Sequence, residues 1–546
     1  MAAAVARCLA VGSRGWAGLA LLLLVAWWLA GLGAAPLFDV DEGAFAEASR
    51  EMRASGDWGH TTLNGADRFD KPILVYWLQA LALALCGDTE FAVRLPSALC
   101  AVGWCIAVHR FAAVRWGRAA GIVGAVVLAT SVGPLLIGRA ATADALLNLL
   151  LTLTMLDLWR FFEGRLSPSP EPADRAAGLH ALRRAFLWAG LGLLAKGPVA
   201  VLLPLGAALL WASLSGGAAR AAVVRAAGDA RAWALGLAIA LPWYAYALAR
   251  HGRAFVDGFI VRHNFERFAG ALEGHGGSWA YYLLVLPLVM LPWTPLLVPL
   301  VRGARQAWAD PAQRFLACWL VFVVVLFSLA GTKLPHYVLY GYTPLVLCCA
   351  RLLGRGTPGP AITTALLATC ALLVLVGAAA TAIATQAVAR ATDPHWRALL
   401  DAAAHTPGPS ASVAGALLLL LAAALVGALR SRPSTLPLLL LGAGASALWW
   451  VLQVVPWWAA ALQGPVKSLA LEARQRDLPL VQWHLHRPSA GFYRGQAVPR
   501  RAPLAGEAAL VWATGNAAAA AAAQGQLLRQ DGGFALLLGP GTATAR

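Results

Sequence analysis

Apolar stretches long enough to cross about 30 Å of hydrocarbon, which takes roughly 20 residues, recur thirteen times along the chain. They run at 16–35, 92–114, 119–138, 142–162, 183–195, 198–214, 232–249, 281–301, 313–330, 335–350, 361–384, 411–429 and 434–455. Each predicts a membrane-spanning helix. Around Lys196, Gly197 and Pro198 the two halves are short, so 183–214 reads either as two spans or as one bent helix. Arg7 and Arg14 before the first stretch, and Gly33, Ala34 and Ala35 after it, imitate a signal peptide, but a dozen further spans favour a retained helix. Polarity returns in 36–91, 166–182, 250–280, 385–410 and 457–546; of these, 166–182 and 385–410 read as loops.

Composition agrees with that pattern. Hydrophobic residues make up 60% of the chain and charged ones 13%, against about 25% charged in soluble domains, so an ordinary soluble protein is excluded. The net charge of +17 would suggest nucleic acid as partner in a soluble chain. Here the basic residues (Arg110, Arg115, Arg118, then Arg160, Arg183, Arg184, then Arg302, Arg305, Arg314) collect in alternate loops, the bias of the cytoplasmic side. The chain therefore reads as a polytopic α-helical membrane protein of about 13 transmembrane helices, spanning residues 1–456, with no nucleic-acid partner. Loop 36–91 falls on the opposite side and holds ten of the 26 acidic residues.

In that loop, Phe45, Ala48 and Met52 at helical spacing predict an amphipathic helix at the interface, and Pro72 to Cys86 a second, with Tyr76 and Trp77 at headgroup level. The tail 457–546 predicts a small α/β domain: LPLVQW (478–483), ALVWAT (509–514) and FALLL (534–538) are strand-like, and the alanine run 517–523 is helix-like. His484 and His486 alternate along the first of these strands, a spacing that can hold a metal but usually does not. The eight cysteines show no metal-ligand spacing.

The chemistry-bearing residues admit bland readings. Asp41 and Glu42 suit a helix N-terminus, where acids complement the macrodipole. Asp144 could cap a span, although an acid at membrane depth is costly and by default functional. Lys71 could be a snorkelling anchor, and Lys196 the cap of a broken helix.

The joint pattern tips the balance. DEGAFAEASREM with GDW, LNG, FDKP and YW, then FAVRLPS, RAATADALL, LLAKGPVA, RHNFERF and GTKLPHYVL stand in order over residues 36–345, with a late HRPSAGFYRG. This resembles the GT-C type glycosyltransferases that use lipid-linked sugars, in particular the bacterial relatives of the protein O-mannosyltransferases and the aminoarabinose transferases of lipid A. The resemblance implies a GT-C fold and inverting transfer of a monosaccharide, an aminosugar included, from a polyprenyl-phosphate donor. The acceptor would be lipid A or another envelope glycan, on the periplasmic face of the inner membrane.

Residue by residue, it implies that Asp41 is the catalytic carboxylate, with Asp144 as a second acid in the same cavity. Lys71, preceded by Asp70, would bind the donor phosphate. Glu42, Arg139, Lys196, His263, Arg267, Lys333, His336 and Tyr337 would bind substrate around it. The logic is electrostatic: a departing polyprenyl phosphate gathers negative charge and needs preorganised cations there, while a carboxylate on the other side orients or deprotonates the acceptor, or stabilises an oxocarbenium-like sugar. At Ala44 and Phe45 the aminoarabinose transferases carry Arg and Tyr, which puts that donor sugar in question. No cofactor is implied, and a divalent cation stays open. The alternatives are a protein O-glycosyltransferase with the same donor class and a non-catalytic lipid or sugar flippase. A flippase should show repeat-related halves, and the chain has none.

Overall fold

The computed structural model describes residues 14–166, 171–266, 270, 276–356, 359–430, 435–514 and 525–539. Each of the thirteen apolar stretches overlaps a helix. Among the described residues, eight helices are long and apolar enough to cross a membrane, or nine if one bent pair is a single span, and shorter apolar helices such as Arg118–Thr130 and Val199–Ser215 accompany them. The break at Lys196 separates two helices, Pro172–Lys196 and Val199–Ser215; Gly197 sits between them at φ +81°, with Phe259 packed against its α-carbon. A Cβ there would be strained twice over.

Three expectations need correction. The stretch 281–301 is not one straight helix: Tyr281–Met290 and Thr294–Ala307 meet at 118°, because Pro292 and Pro295 remove backbone donors within four residues. The segment 385–410 is not a loop but carries two helices, Ala380–Arg390 and Pro394–His405. Alanine-rich sequence favours helix even where it is polar, and Asp393 caps the second helix by accepting from the His395 and Trp396 amides. The supposed loop 166–182 likewise yields to a helix that starts at Pro172, a residue suited to a first turn.

Outside the spans, helices Asp41–Ser55 and Leu74–Cys86 form as expected, joined by a short hairpin, β1 (Thr62–Leu63) with β2 (Ala66–Asp67). Tyr76, however, is fully buried rather than at a headgroup surface: its ring stacks on Phe45 at 5.4 Å and its hydroxyl meets Arg68 at 3.0 Å. The tail builds a four-stranded sheet, β3 (Leu480–Gln482), β4 (Ala508–Trp512), β5 (Gln526–Asp531) and β6 (Phe534–Leu538), in the order β3-β4-β6-β5. β3 and β4 are parallel and the other pairs antiparallel. β5 escaped the sequence pattern because it faces solvent on most positions, and the run 517–523 lies outside the described residues. His484 and His486 follow β3 rather than belonging to it, since the strand ends at Gln482.

The sheet does not stand apart. Helix Val455–Gln475 continues from the last span across residue 456, and Val466 and Leu469 share one apolar cluster with Leu37 and Ala46 of the first loop, Val93 at the start of the next span, and Phe492, Leu510 and Leu536 of the tail. First loop and tail are one packed body.

Candidate active site

That packing shapes a cavity of about 1090 Å³ between the first loop and the helical bundle. Its wall begins at helix Asp41–Ser55, whose N-terminal turn is held from both sides. Glu42 is buried and receives Arg94 at 2.7 and 2.9 Å, the Phe38 amide at 2.9 Å and the Ala141 amide at 2.7 Å. Burial alone would raise this carboxyl; Arg94 and the two amides outweigh it and hold it below its ordinary range. Arg94 also donates to the carbonyls of Leu32, Ala35 and Pro36. Glu42 is thus spent on joining the first span, this helix and the segment before Asp144.

On the other flank Asp39 accepts from the Ser489 amide at 2.9 Å and its hydroxyl at 2.5 Å. Gly43 faces that junction, and a Cβ on it would lie 2.0 Å from the Asp39 carboxylate and 2.5 Å from the Ser489 nitrogen. Only glycine fits there, which gives the DEG sequence a steric reason. The late HRPSAGFYRG segment forms helix Ser489–Arg494 against this turn, and Tyr493 accepts from the Leu37 amide at 2.8 Å.

Asp41 remains exposed toward the cavity, and among the described residues its carboxylate has no hydrogen-bond partner. Beyond it lie Arg68, Asp70 and Lys71. Arg68 pairs with Asp70 at 2.7 Å and lies 5.5 Å over the Phe45 ring; the Lys71 ammonium sits 3.6 Å from Asp70. Burial pushes the Asp70 carboxyl upward, but Arg68, Lys71 and His263 overcome it and keep Asp70 ionised far below the usual carboxylate range. His263 comes from a π-helical segment, Val256–Glu266, that also brings Arg262 to the cavity.

The bundle closes the floor. Asp144, at the start of helix Asp144–Leu166, pairs with Lys196, accepts from the Tyr340 hydroxyl at 2.5 Å and lies 3.6 Å from His336. Lys196 also donates to Tyr340 at 2.7 Å and lies 5.6 Å over the Tyr337 ring. A helix end, a broken-helix lysine and a tight turn after a span therefore meet at one point.

Ten of the expected site residues line the cavity: Asp41, Glu42, Asp70, Lys71, Arg139, Asp144, Lys196, His263, His336 and Tyr337. Two do not enter the account as expected. Lys333 is turned away from the cavity, donating to the Ser328 and Ala330 carbonyls at 2.9 and 2.7 Å, where it caps helix Pro311–Leu329. Arg267 lies outside the described residues. Arg139 borders the cavity, but its guanidinium binds the Ala30 and Trp27 carbonyls at the end of the first span. Sequence reading missed Asp39, Arg68, Arg262, Tyr340 and His486, all at or beside the cavity. Arg94, Arg262 and His486 stood inside quoted motifs, FAVRLPS, RHNFERF and HRPSAGFYRG.

Comparison with known proteins follows from this geometry. The structure aligns with crystal structures of ArnT from Cupriavidus metallidurans, with undecaprenyl phosphate bound (TM-score 0.78) and in the apo state (0.76), each at 20% identity and over 96% of this chain. The fold is GT-C. Within this GT-C chain, residues 70–246 match the family described as dolichyl-phosphate-mannose-protein mannosyltransferase. The undecaprenyl phosphate-alpha-4-amino-4-deoxy-L-arabinose arabinosyl transferase of Edwardsiella ictaluri is 32% identical over 345 residues, covering 63% of this chain and 60% of that protein. Its counterpart in Pseudomonas aeruginosa strain PAO1 is 31% identical over 343 residues, covering 60% and 58%. The match thus spans about 60% of the length of these curated relatives.

Proposed function

We propose that this GT-C chain is an inverting glycosyltransferase that moves a monosaccharide from a polyprenyl phosphate to lipid A or a similar envelope glycan, with its cavity facing the periplasm. The observation that carries the proposal is the charge gathered in one cavity: an Asp41 carboxylate with no hydrogen-bond partner among the described residues, and the cations Arg68, Lys71, Arg262 and His263 lining the same space. Relatives named for an undecaprenyl phosphate donor support the donor class.

In this reading the acceptor hydroxyl attacks the anomeric carbon and passes its proton to Asp41. The anomeric carbon–phosphate oxygen bond breaks, and the polyprenyl phosphate leaves with the electron pair. The charge that grows on it meets Lys71, held in place by Asp70, together with His263. Asp144 is assigned a different part from Asp41: paired with Lys196 and Tyr340, it positions the cations of the cavity floor rather than accepting the acceptor's proton. Arg68 lies 5.5 Å over the ring of Phe45, one of the two positions where the aminoarabinose enzymes differ.

The test is mass spectrometry of lipid A from a strain lacking its own such transferase. Wild-type chain should add the mass of one monosaccharide, and Asp41→Asn, which keeps side-chain volume and removes charge, should lower transfer about 10²–10⁴-fold, the usual worth of a general base. Near-normal transfer by purified Asp41→Asn protein overturns the role of Asp41, and addition to proteins instead of lipid A moves the acceptor assignment to protein O-glycosylation. The orientation has its own check. A reporter active only in the cytoplasm, fused after Arg546, should stay silent.

A further inference from the structure

At the edge of the cavity, which Asp67 helps to line, three metal-ligating side chains converge from two distant parts of the chain. His60 precedes β1, Asp67 ends β2, and His251 ends helix Ala230–His251; one ligand atom from each lies within 4.8 Å of the others. His60 Nε2 and Asp67 Oδ1 are already 3.0 Å apart, close to the ~3.4 Å edge of a tetrahedron with bonds of ~2.0–2.1 Å. The His60 and His251 rings face each other with centroids 4.3 Å apart. Among the described residues, His251 Nε2 is buried and has no hydrogen-bond partner, an orphan that a native structure normally satisfies.

We infer that His60, Asp67 and His251 form a binding site for a divalent transition metal ion, with zinc the best match. Two imidazoles and a carboxylate are a donor set that suits zinc or cobalt and offers little to magnesium or calcium, which prefer all-oxygen shells. The adjoining recess, lined by His60, Arg68, Phe69, Lys71, Trp243 and His251 among others, measures about 10 Å³, about one water-sized sphere. Asp67 is 58% exposed and His60 10%, so an ion can enter past Asp67 and keep a water as its fourth ligand. The cations nearby each face a carboxylate, Arg250 paired with Asp57 at 2.6 Å, Arg68 with Asp70 at 2.7 Å and Lys71 3.6 Å from Asp70, which reduces their repulsion of a metal.

The consequence is a clip. The first-loop hairpin would be tied to the outer end of a span, and Phe69, 6.1 Å from His60 and 5.1 Å from His251 by ring centroids, would be fixed between them. Phe69 directly precedes Asp70 and Lys71. Such an ion would act on the cavity through the loop's position and through Asp67, which lines it.

The experiment uses tag-free, full-length chain in detergent, stripped with chelator and titrated with Zn²⁺ against a chromogenic competitor, and separately loaded with Co²⁺. Wild type should bind one ion at this site and give the visible d–d bands of a four-coordinate cobalt centre. His60→Gln and His251→Gln should each weaken that ion at least about 100-fold, beyond the loss seen on removing an outer-shell partner, and abolish the bands; His405→Gln, on an exposed helix elsewhere, should change neither. Asp67→Asn keeps shape at an exposed position and should weaken binding about tenfold, so it decides the matter if the histidine variants do not fold. Equal affinity, within twofold, for wild type and these three variants overturns the site, as does a cobalt spectrum of the free aquo ion.

Discussion

At Lys71 the sequence offers two readings, a surface anchor or a phosphate ligand, and its surroundings favour the second. The ammonium lies beside Asp70 in the cavity wall rather than extended along apolar surface. A charge-assisted hydrogen bond in a partly dry site is worth about 1.5–3 kcal/mol, so Lys71→Met should weaken donor binding roughly ten- to a hundredfold, with Lys71→Arg intermediate. Titration of purified protein with polyprenyl phosphate checks the order, and equal binding by the Met variant would return Lys71 to an anchoring role. Asp41 and Glu42 show how far neighbours in sequence can diverge. One helix turn points the first into the cavity and the second into a buried cluster, so their shared acidity conceals two different tasks.

Helix Asp41–Ser55 is fixed less by its own propensity than by the contacts at its two sides. The Arg94–Glu42 pair is nearly dry, with both side chains about 5% exposed. Breaking such a pair from one side strands a buried charge, which costs about 3–5 kcal/mol. Arg94→Met should therefore lower the apparent melting temperature of the detergent-solubilised protein sharply, whereas Arg94→Met combined with Glu42→Leu should recover much of the loss. Two single losses that simply add in the double variant would show that the pair is not coupled. The hairpin and helix Leu74–Cys86 depend on this helix in turn, through Ser49 donating to Gln79 at 2.8 Å and Tyr76 stacked on Phe45.

Across the whole molecule, the cavity exists because the tail closes on the first loop. One seam of that closure carries a titrating group: burial pushes the Asp39 carboxyl up to about 6, and the hydrogen bonds from Ser489 and the charge of Arg487 only partly offset it. A folded-state value above the ordinary 3.8 means that the protonated form is favoured on folding. That contribution is complete below about pH 4 and is lost as pH rises through 6. Because Asp39 is only half-buried at its surface, we expect about 1–2 kcal/mol, less than the shift alone implies. The apparent melting temperature should fall between pH 5 and pH 7.5 in wild type, and the fall should be smaller in Asp39→Asn. Identical pH profiles would exclude Asp39 as the titrating group.

Hydropathy determined the membrane-spanning architecture, because about 20 apolar residues in a row have few other uses, and local amphipathic spacing determined the two helices of the first loop. Pattern failed where the signal was polarity alone: 385–410 and 172–182 are helical because alanine and capping residues outweigh an absence of apolar periodicity. The quoted motifs located most of the cavity, since all but GDW, LNG and YW hold a residue that lines it. What they could not specify was partnership. Glu42 is joined to Arg94, Asp144 to Lys196 and Tyr340, and Asp39 to Ser489, across separations of 52 to 450 residues. Whether a charged side chain pins the fold or faces a substrate depends on which opposite charge the folded chain brings within about 3 Å. Lys333 makes the point in reverse: its motif promised a cavity cation, and the carbonyls at the end of the preceding helix claimed it.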